Sequence, residues 1–402
     1  MPPSPGPQRT QLDVAAIQTA LAHDGLDGWL LYDFHGSNAI AVALAGLTGT
    51  HTTRRWYYFI PRAGNPIKLV HAIESGVLAA QPGETRTYAE RRQLEDGLRQ
   101  LLAGAKTIAM EYSPECAIPY ISRVDAGTIE LVRRAGDVTI VSSGDLVGRF
   151  EAAWDAAAIA THRAASEALY RVKDRAFALV GAALGANRTI TELDVQREMQ
   201  RWFAEEGLVT DAPPIVAAAA HAGDPHYEPT PQSSSTIARG DVVLLDLWGK
   251  LDRPGAVYAD ITWTGIFGVP GDEVGRVFAL VARARDAALA AVQTAVAAGR
   301  PVHGWEVDRA ARDVITGGGY GDRFIHRTGH SLGREVHGNG VHMDDYETHD
   351  DRRLLPGTGF TIEPGVYLSS FGIRSEINIV VGDRSAEATG PCQQELVRLD
   401  RL

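Results

Sequence analysis

Apolar and polar positions follow two different patterns along the chain, and the change falls near residue 150. Between residues 12 and 150, short apolar runs typical of buried strands alternate with helical segments rich in Ala and Leu. The runs begin at Gly28 (GWLLY), Trp56 (WYYFI), Lys68 (KLV), Thr107 (TIAM) and Val138 (VTIV). Strands that alternate with helices predict a small α/β domain over residues 12–150.

The second pattern begins with a long Ala-rich segment from Glu151 to about Gly185, which contains no proline and predicts a helix. Thr191, with Asp194 three residues later, predicts the capped start of another helix. Residues 272–298 carry apolar side chains at 3.6-residue spacing and predict a third helix. Strands are predicted at 242–247, 258–262, 359–363 and 373–380. We therefore expect an α+β domain over residues 151–402.

Composition narrows the class of protein. The chain of 402 residues is 45% hydrophobic and 22% charged, as expected of two globular domains, and the Pro-rich residues 1–11 are predicted to be a disordered tail. A net charge of -11 argues against nucleic acid and against an anionic membrane surface. Two cysteines provide no disulfide framework and fit a reducing cytoplasm, and no apolar stretch is long enough to span a membrane.

Four carboxylates occupy strand positions where an apolar residue is expected. Asp246 interrupts VVLLDLW, Asp260 precedes ITWTGIF, Glu363 ends FTIE, and Glu376 divides IRSEINIVV. Each alone has a simpler interpretation, an exposed alternate position on a half-solvated strand. If the four converge, burial and mutual repulsion would oppose their ionisation unless cations neutralise them, and two divalent ions would balance four carboxylates.

A histidine-rich segment supplies the matching nitrogen ligand. HRTGHSLGREVH contains three histidines and two glycines, and a glycine beside His330 would let the backbone approach a metal closely. Oxygen-rich ligation with one imidazole suits Mn, Co, Zn or Fe.

Five segments together resemble the metal-binding blocks of the pita-bread metallopeptidases, a family that includes methionine aminopeptidase, aminopeptidase P and Xaa-Pro dipeptidase (prolidase). The segments LLDLWG, YADITWTG, HRTGHSLGREVH, TIEPGVY and IRSEINI occur in the family's order. The resemblance implies a pita-bread catalytic domain preceded by a smaller creatinase-like α/β domain. It also implies five metal ligands, namely Asp246, Asp260, His330, Glu363 and Glu376.

The same resemblance implies a mechanism. Two divalent ions, Mn(II) by preference, would hold a bridging hydroxide that attacks a peptide carbonyl. Glu363 would act as general base and then acid, while His226 and His337 would stabilise the oxyanion.

The chain departs from the family pattern at two places. The loop after Asp246 is longer than expected, which makes Asp252 a rival ligand, but the position of Asp252 in a turn argues against that role. The second departure is in the last segment, RSEIN, because relatives often have an acidic residue directly after the glutamate that corresponds to Glu376.

The resemblance also suggests a substrate. An N-terminal domain of this size is typical of prolidase, aminopeptidase P and creatinase, and the intact ligand set argues against the metal-free creatinase. We expect a prolidase that hydrolyses Xaa-Pro dipeptides, with aminopeptidase P, acting on longer peptides, or another exopeptidase of this fold as the alternative. A dipeptide's free carboxylate requires a cation, for which Arg352, Arg353 and Arg374 are candidates. Family members commonly form homodimers.

Overall fold

The computed structural model describes residues 11–402, so residues 1–10 of the predicted tail lie outside the described part of the chain. The chain divides into two compact units. The first ends at Glu151 and the second runs from Ala152 to Leu402.

The first unit is built on a six-stranded sheet with the strand order β4-β3-β2-β1-β5-β6. All strands run parallel to one another except β2, which is antiparallel to both of its neighbours. The strands are β1 (Gly28–Asp33), β2 (Trp56–Pro61), β3 (Ile67–His71), β4 (Glu84–Tyr88), β5 (Thr107–Met110) and β6 (Thr139–Ser142). The helices are α1 (Val14–His23), α2 (Ala39–Leu44), α3 (Arg91–Leu101), α4 (Ala126–Gly136) and α5 (Gly144–Phe150).

Both faces of this sheet are covered, which explains why its strands appear in the sequence as continuous apolar runs. Trp29 and Trp56 lie in the apolar cluster on one face, and Tyr57 and Ile108 lie in the cluster on the other. The five strands predicted in this region are present. β4, which reads ETRTY, has no apolar run, and the sequence pattern did not reveal it.

The second unit contains four helices: α6 (Ala156–Gly185), α7 (Glu192–Glu205), α8 (Asp272–Ala297) and α9 (Gly304–Gly317). Helix α6 begins five residues later than predicted because the Asp155 side chain accepts a hydrogen bond from the Ala158 amide and caps the helix there. The predicted Thr191–Asp194 capping box at the start of α7 is confirmed. Within residues 11–402, no helix combines the length and the apolar character needed to cross a bilayer.

The strands of the second unit form small sheets around a long hairpin of β9 (Val242–Leu251) and β10 (Ala259–Ile266). The others are β7 (Leu208–Val209), β8 (Ile215–Ala218), β11 (Ser331–Leu332), β12 (Gly359–Ile362), β13 (Gly365–Tyr367), β14 (Gly372–Arg374), β15 (Ile377–Val381), β16 (Ala386–Ala388) and β17 (Val397–Arg398). The prediction of one strand over 373–380 is wrong. The chain leaves the β13–β14 pair at Ser375 and joins β12 only from Ile377.

Helix α6 packs along the hairpin and fixes its position. Its buried His162 has Nδ1 2.7 Å from the Tyr258 carbonyl oxygen and Nε2 2.8 Å from the Thr389 hydroxyl. Nδ1 therefore donates to the carbonyl, and Nε2 accepts from the hydroxyl. Burial lowers the pKa of His162 to about 4, which keeps the ring neutral at pH 7. This contact holds the backbone two residues before Asp260.

Candidate metal centre

The β9–β10 hairpin places two of the predicted acidic residues on one face. Asp246 lies directly opposite Thr262 in the antiparallel register, and Asp260 lies two residues before Thr262 on the same strand. Directly opposed residues, and residues two apart on one strand, point to the same side of a sheet. Asp246, Asp260 and Thr262 therefore share a face, and all three side chains are buried.

The sheet that contains β11, β12 and β15 supplies the other three predicted ligands. His330 immediately precedes β11, Glu363 immediately follows β12, and Glu376 lies in the break between β14 and β15. The Thr361 hydroxyl accepts a hydrogen bond from the His330 amide at 2.9 Å and lies 3.1 Å from Oε1 of Glu363. One threonine thus positions two of the predicted ligands.

Gly329 is required by this close packing. A Cβ atom at residue 329 would lie only 2.0 Å from the Thr361 carbonyl oxygen. Any larger residue would push the backbone of His330 away from β12.

Three side chains converge most closely. One ligand atom from each of Asp260, His330 and Glu376 lies within 4.8 Å of the others. Nε2 of His330 is 3.5 Å from Oδ2 of Asp260 and also 3.5 Å from Oε1 of Glu363. Four of the five predicted ligands, His330 and three carboxylates, therefore lie close together.

The electrostatics of this cluster fit a cation. Burial, followed by the charges of neighbouring carboxylates, raises the pKa of both Asp260 and Glu376 well above the usual range. One buried oxygen of each, Oδ1 of Asp260 and Oε1 of Glu376, accepts no hydrogen bond from any described residue. Buried carboxylate oxygens normally have donors, so these oxygens are suited to a positively charged ligand.

The protonation state of His330 supports the same conclusion. Burial lowers the pKa of His330, so its ring is neutral at pH 7. Nδ1 lies 3.1 Å from the Ser331 carbonyl oxygen, to which it donates. Nε2 therefore presents a lone pair towards the carboxylates, an arrangement that is repulsive alone and favourable around a metal ion.

Asp246 has a different partner. The Arg374 guanidinium donates to the Asp246 carboxylate, to the Thr262 hydroxyl at 2.9 Å and to the Tyr367 hydroxyl at 3.1 Å. The Thr262 hydroxyl lies 2.8 Å from Oε2 of Glu376, so it links Arg374 to the cluster. Arg374 is 4% exposed and serves as the counter-ion of Asp246.

The two other predicted arginines also lie within this unit. Arg352 holds both oxygens of the buried Asp350, at 2.9 and 2.6 Å, and donates to the Asn339 carbonyl. Arg353 is half-buried, and its backbone forms a β-bridge with His303. The donors of Arg352 and Arg374 are thus engaged by carboxylates of the protein itself. This geometry favours a structural task for both.

The two predicted substrate histidines lie at the exposed side of the cluster. The His337 ring contacts the His330 ring edge-to-face at 4.3 Å between centroids. Partial desolvation, followed by the charges of His330, Arg327 and His226, lowers the pKa of His337. His226 is exposed, and its amide donates to the Asp224 side chain at 3.0 Å. Asp252, the rival ligand, is an exposed turn residue that follows β9.

Sequence reasoning missed a carboxylate that holds the loop carrying His226. Glu192, at the start of α7, is fully buried and accepts hydrogen bonds from the amides of Ala218 and Ser235, both at 2.8 Å. It also accepts from the Tyr227 hydroxyl at 2.6 Å and lies 3.0 Å from Nδ1 of His221. The sequence offered no signal for this role, because glutamate in the first turn of a helix is ordinary.

The chain has clear relatives. Residues 155–383 match the model of metallopeptidase family M24. The probable dipeptidase PepE of Mycobacterium bovis is 33% identical over 225 residues, 56% of each chain. The Xaa-Pro dipeptidase of Lactobacillus helveticus is 33% identical over 186 residues, 46% of this chain and 45% of that one. The matched region thus spans about half the length of these curated relatives.

The likeness to solved structures extends further. The crystal structure of dipeptidase PepE from Mycobacterium ulcerans has a TM-score of 0.68 and 25% sequence identity, and the match covers 97% of this chain and 100% of that one. This likeness confirms the predicted fold class, in which an α/β unit precedes the unit that carries the candidate metal centre.

Proposed function

The chain belongs to metallopeptidase family M24, and on that premise we propose that it is a metal-dependent peptidase that hydrolyses the Xaa-Pro bond of dipeptides. The observation that carries the proposal is the buried convergence of Asp260, His330 and Glu376, with carboxylate oxygens that lack donors among the described residues. Similarity to proteins named dipeptidase PepE and Xaa-Pro dipeptidase supports a dipeptide substrate.

Five residues would hold two divalent ions in this proposal, and Mn(II) is the ion we expect: Asp246, Asp260, His330, Glu363 and Glu376. Such ions, when bound, polarise a substrate carbonyl and lower the pKa of water. The donor set of four carboxylates and one neutral imidazole has the hard-oxygen character that favours Mn(II) and similar ions over a thiolate-type structural zinc.

Glu363 is the proposed proton carrier. It is half-buried, with Oε1 near the Thr361 hydroxyl, so it is held firmly while it keeps access to the substrate side. We propose that its carboxylate takes the proton of the attacking water and then delivers it to the departing nitrogen.

His226 and His337 are proposed to stabilise the oxyanion. Each can donate an imidazole N–H to the carbonyl oxygen of the scissile bond, whose negative charge increases in the transition state. The loop that carries His226 is anchored by Glu192, and His337 packs against His330.

A dipeptidase must also bind the free carboxylate of its substrate, and an arginine is the best donor for this task. Arg353 remains a predicted candidate for this task. Arg327 is the additional candidate that we propose, because its charge acts on His330 and His337. A homodimer remains a prediction from the family resemblance.

The substrate assignment is tested by stripping the protein with chelator, restoring Mn(II), and comparing Ala-Pro, Met-Pro and Gly-Pro with an Xaa-Pro-Xaa tripeptide. We expect cleavage of the dipeptides only. Release of the first residue from the tripeptide would instead indicate aminopeptidase P. No cleavage of either, with metal bound, would overturn the substrate assignment but not the metal centre.

The catalytic assignment is tested with Glu363→Gln. Loss of a general base or acid typically lowers kcat by about 10²–10⁴-fold. We expect a loss in this range with an unchanged far-UV circular dichroism spectrum. The matched control is Glu198→Gln, a residue of α7 in the same unit whose side chain is 41% exposed and pairs with Arg201 at the surface. Near wild-type turnover in Glu363→Gln would remove the proton-carrier role.

A further inference from the structure

A cavity in the first unit has the features of a binding site for an anion. Its volume is about 740 Å³, within the range of about 300–1,000 Å³ common for small-molecule sites. All of its lining residues lie between Tyr32 and Leu131, so it belongs to the first unit alone, and the family match begins only at residue 155.

The cavity lies where the topology of the sheet favours binding. Tyr32 and Phe34 lie at the carboxyl end of β1, His71 ends β3, and Tyr88 ends β4. Arg55 directly precedes β2, which is antiparallel, so it lies at the same edge. In open α/β sheets, ligands bind in the crevice outside the carboxyl ends of the parallel strands.

The lining contains three guanidinium groups and two carboxylates. Arg54, Arg55 and Arg91 all line the cavity, and Arg55 has no ion pair with any described residue. Burial raises the pKa values of Tyr32 and Tyr88, and the charge of the Arg55 guanidinium opposes that shift. The Tyr88 hydroxyl donates to the Arg55 carbonyl oxygen at 2.7 Å, which fixes the backbone of Arg55 beside the cavity.

The two acidic residues of the lining are engaged in helix capping. Asp125 caps α4 and accepts from both the amide and the hydroxyl of Thr128, each at 2.8 Å. Glu90 is the N-cap residue of α3. The positive ends of these two helices are therefore already matched by carboxylates, and the three arginines are the donors left for a bound anion.

The remaining wall is aromatic and apolar. Phe34 lines the cavity and is 43% exposed, and Leu94 and Leu131 lie among the lining residues. Behind Tyr32, at 5.0 Å between ring centroids, lies Tyr57, whose fully buried hydroxyl has no hydrogen-bond partner among the described residues. A buried hydroxyl without a partner is costly.

We propose that this cavity binds a small molecule that carries a carboxylate or phosphate group on a flat apolar body, with Arg55 and Arg54 holding the oxyanion. Guanidinium groups bind both oxyanions through paired hydrogen bonds, and aromatic walls accept the apolar part. The inference does not depend on the proposed catalytic function, because every residue it uses lies in the other unit.

The test is isothermal titration calorimetry of the full, metal-loaded chain with phenyl phosphate, benzoate and the neutral analogue benzyl alcohol. We expect one site for at least one of the anions and none for the alcohol. Binding of phenyl phosphate alone would identify a phosphate ligand, and binding of benzoate alone a carboxylate ligand. Binding of neither anion, or equal binding of the alcohol, would overturn the proposal.

Variants separate this site from anion binding at the metal centre. Arg55→Gln is expected to weaken binding at least tenfold without lowering Tm, since Arg55 has no ion pair to lose. Arg62→Gln, which removes the same charge at the opposite edge of the sheet, should leave binding unchanged. Leu131→Trp should block the cavity while it keeps every charge. Wild-type affinity in both Arg55→Gln and Leu131→Trp would refute the assignment.

Discussion

Removal of one carboxylate from the metal centre is expected to stabilise the metal-free protein. The ligand oxygens of Asp260 and Glu376 lie within 4.8 Å of each other. At an effective dielectric constant of about 20, two like charges at this distance repel by about 3 kcal/mol. Partial protonation and the nearby Arg374 reduce that figure, so Glu376→Gln should raise the metal-free free energy of unfolding by about 1–3 kcal/mol. Gln retains the oxygen that faces the Thr262 hydroxyl.

The effect should reverse once metal is added. Mn(II) at a hundred times its Kd stabilises the native state by about 2.7 kcal/mol, and the variant should lose most of this gain. The assay is urea unfolding followed by far-UV circular dichroism, with chelator and with Mn(II), and Glu198→Gln serves as the control. If Glu376→Gln is less stable than wild type in chelator, repulsion is not the dominant energy in the cluster, and the argument for a cation from charge alone fails.

Three other predictions concern buried polar groups. Glu192→Ala should lower the free energy of unfolding by about 3 kcal/mol, because it removes the acceptor of the buried Ala218 amide, of the Ser235 amide and of the stronger hydrogen bond of the Tyr227 hydroxyl. Tyr227→Phe should cost only about 1 kcal/mol, and equal losses in urea unfolding would contradict this order. The pKa of His162 is about 4 in the fold and 6.5 in the reference state, so the unfolded chain binds a proton first as pH falls. This difference should lower the free energy of unfolding by up to about 3 kcal/mol as the pH falls from 6.5 to 4. Urea midpoints across that range should depend less on pH in His162→Gln, and identical slopes would refute the assignment. Arg374→Met should cost about 3–5 kcal/mol in the same urea assay because it leaves Asp246 buried without its counter-ion, and a loss below about 1 kcal/mol would show that the pair contributes little.

Much of the fold could be predicted because local patterns determine it. The apolar runs of the first unit identify five of its six strands, since a sheet covered on both faces requires continuous apolar side chains. The sequence does not predict β4 because ETRTY is polar. This segment is a strand because it pairs with β3, not because of its composition. The break between β14 and β15, at Ser375 and Glu376, is not predicted for a related reason. Only the separate partners of β14 and β15 show that one apolar segment is two strands.

The candidate site was accessible from the sequence because an acidic residue inside an apolar strand is rare enough to stand out. Strand alternation then places Asp246 and Asp260 on one face without any knowledge of tertiary contacts. Strand alternation does not reveal which residue neutralises the charge of Asp246. Arg374 is also a charged residue next to an apolar strand, and it stays a predicted substrate-binding candidate, but sequence spacing cannot show that it pairs with a carboxylate 128 positions earlier.

This asymmetry has a physical basis. The cost of burying a charge is a property of the residue and its immediate neighbours, so a sequence can reveal it. The compensation for that cost depends on which distant group the fold brings within hydrogen-bonding distance. For Asp246 the compensation is Arg374, an arginine of the chain itself. For Asp260 and Glu376, no described residue donates to the remaining oxygens, and a bound cation is the simplest group that satisfies both at once.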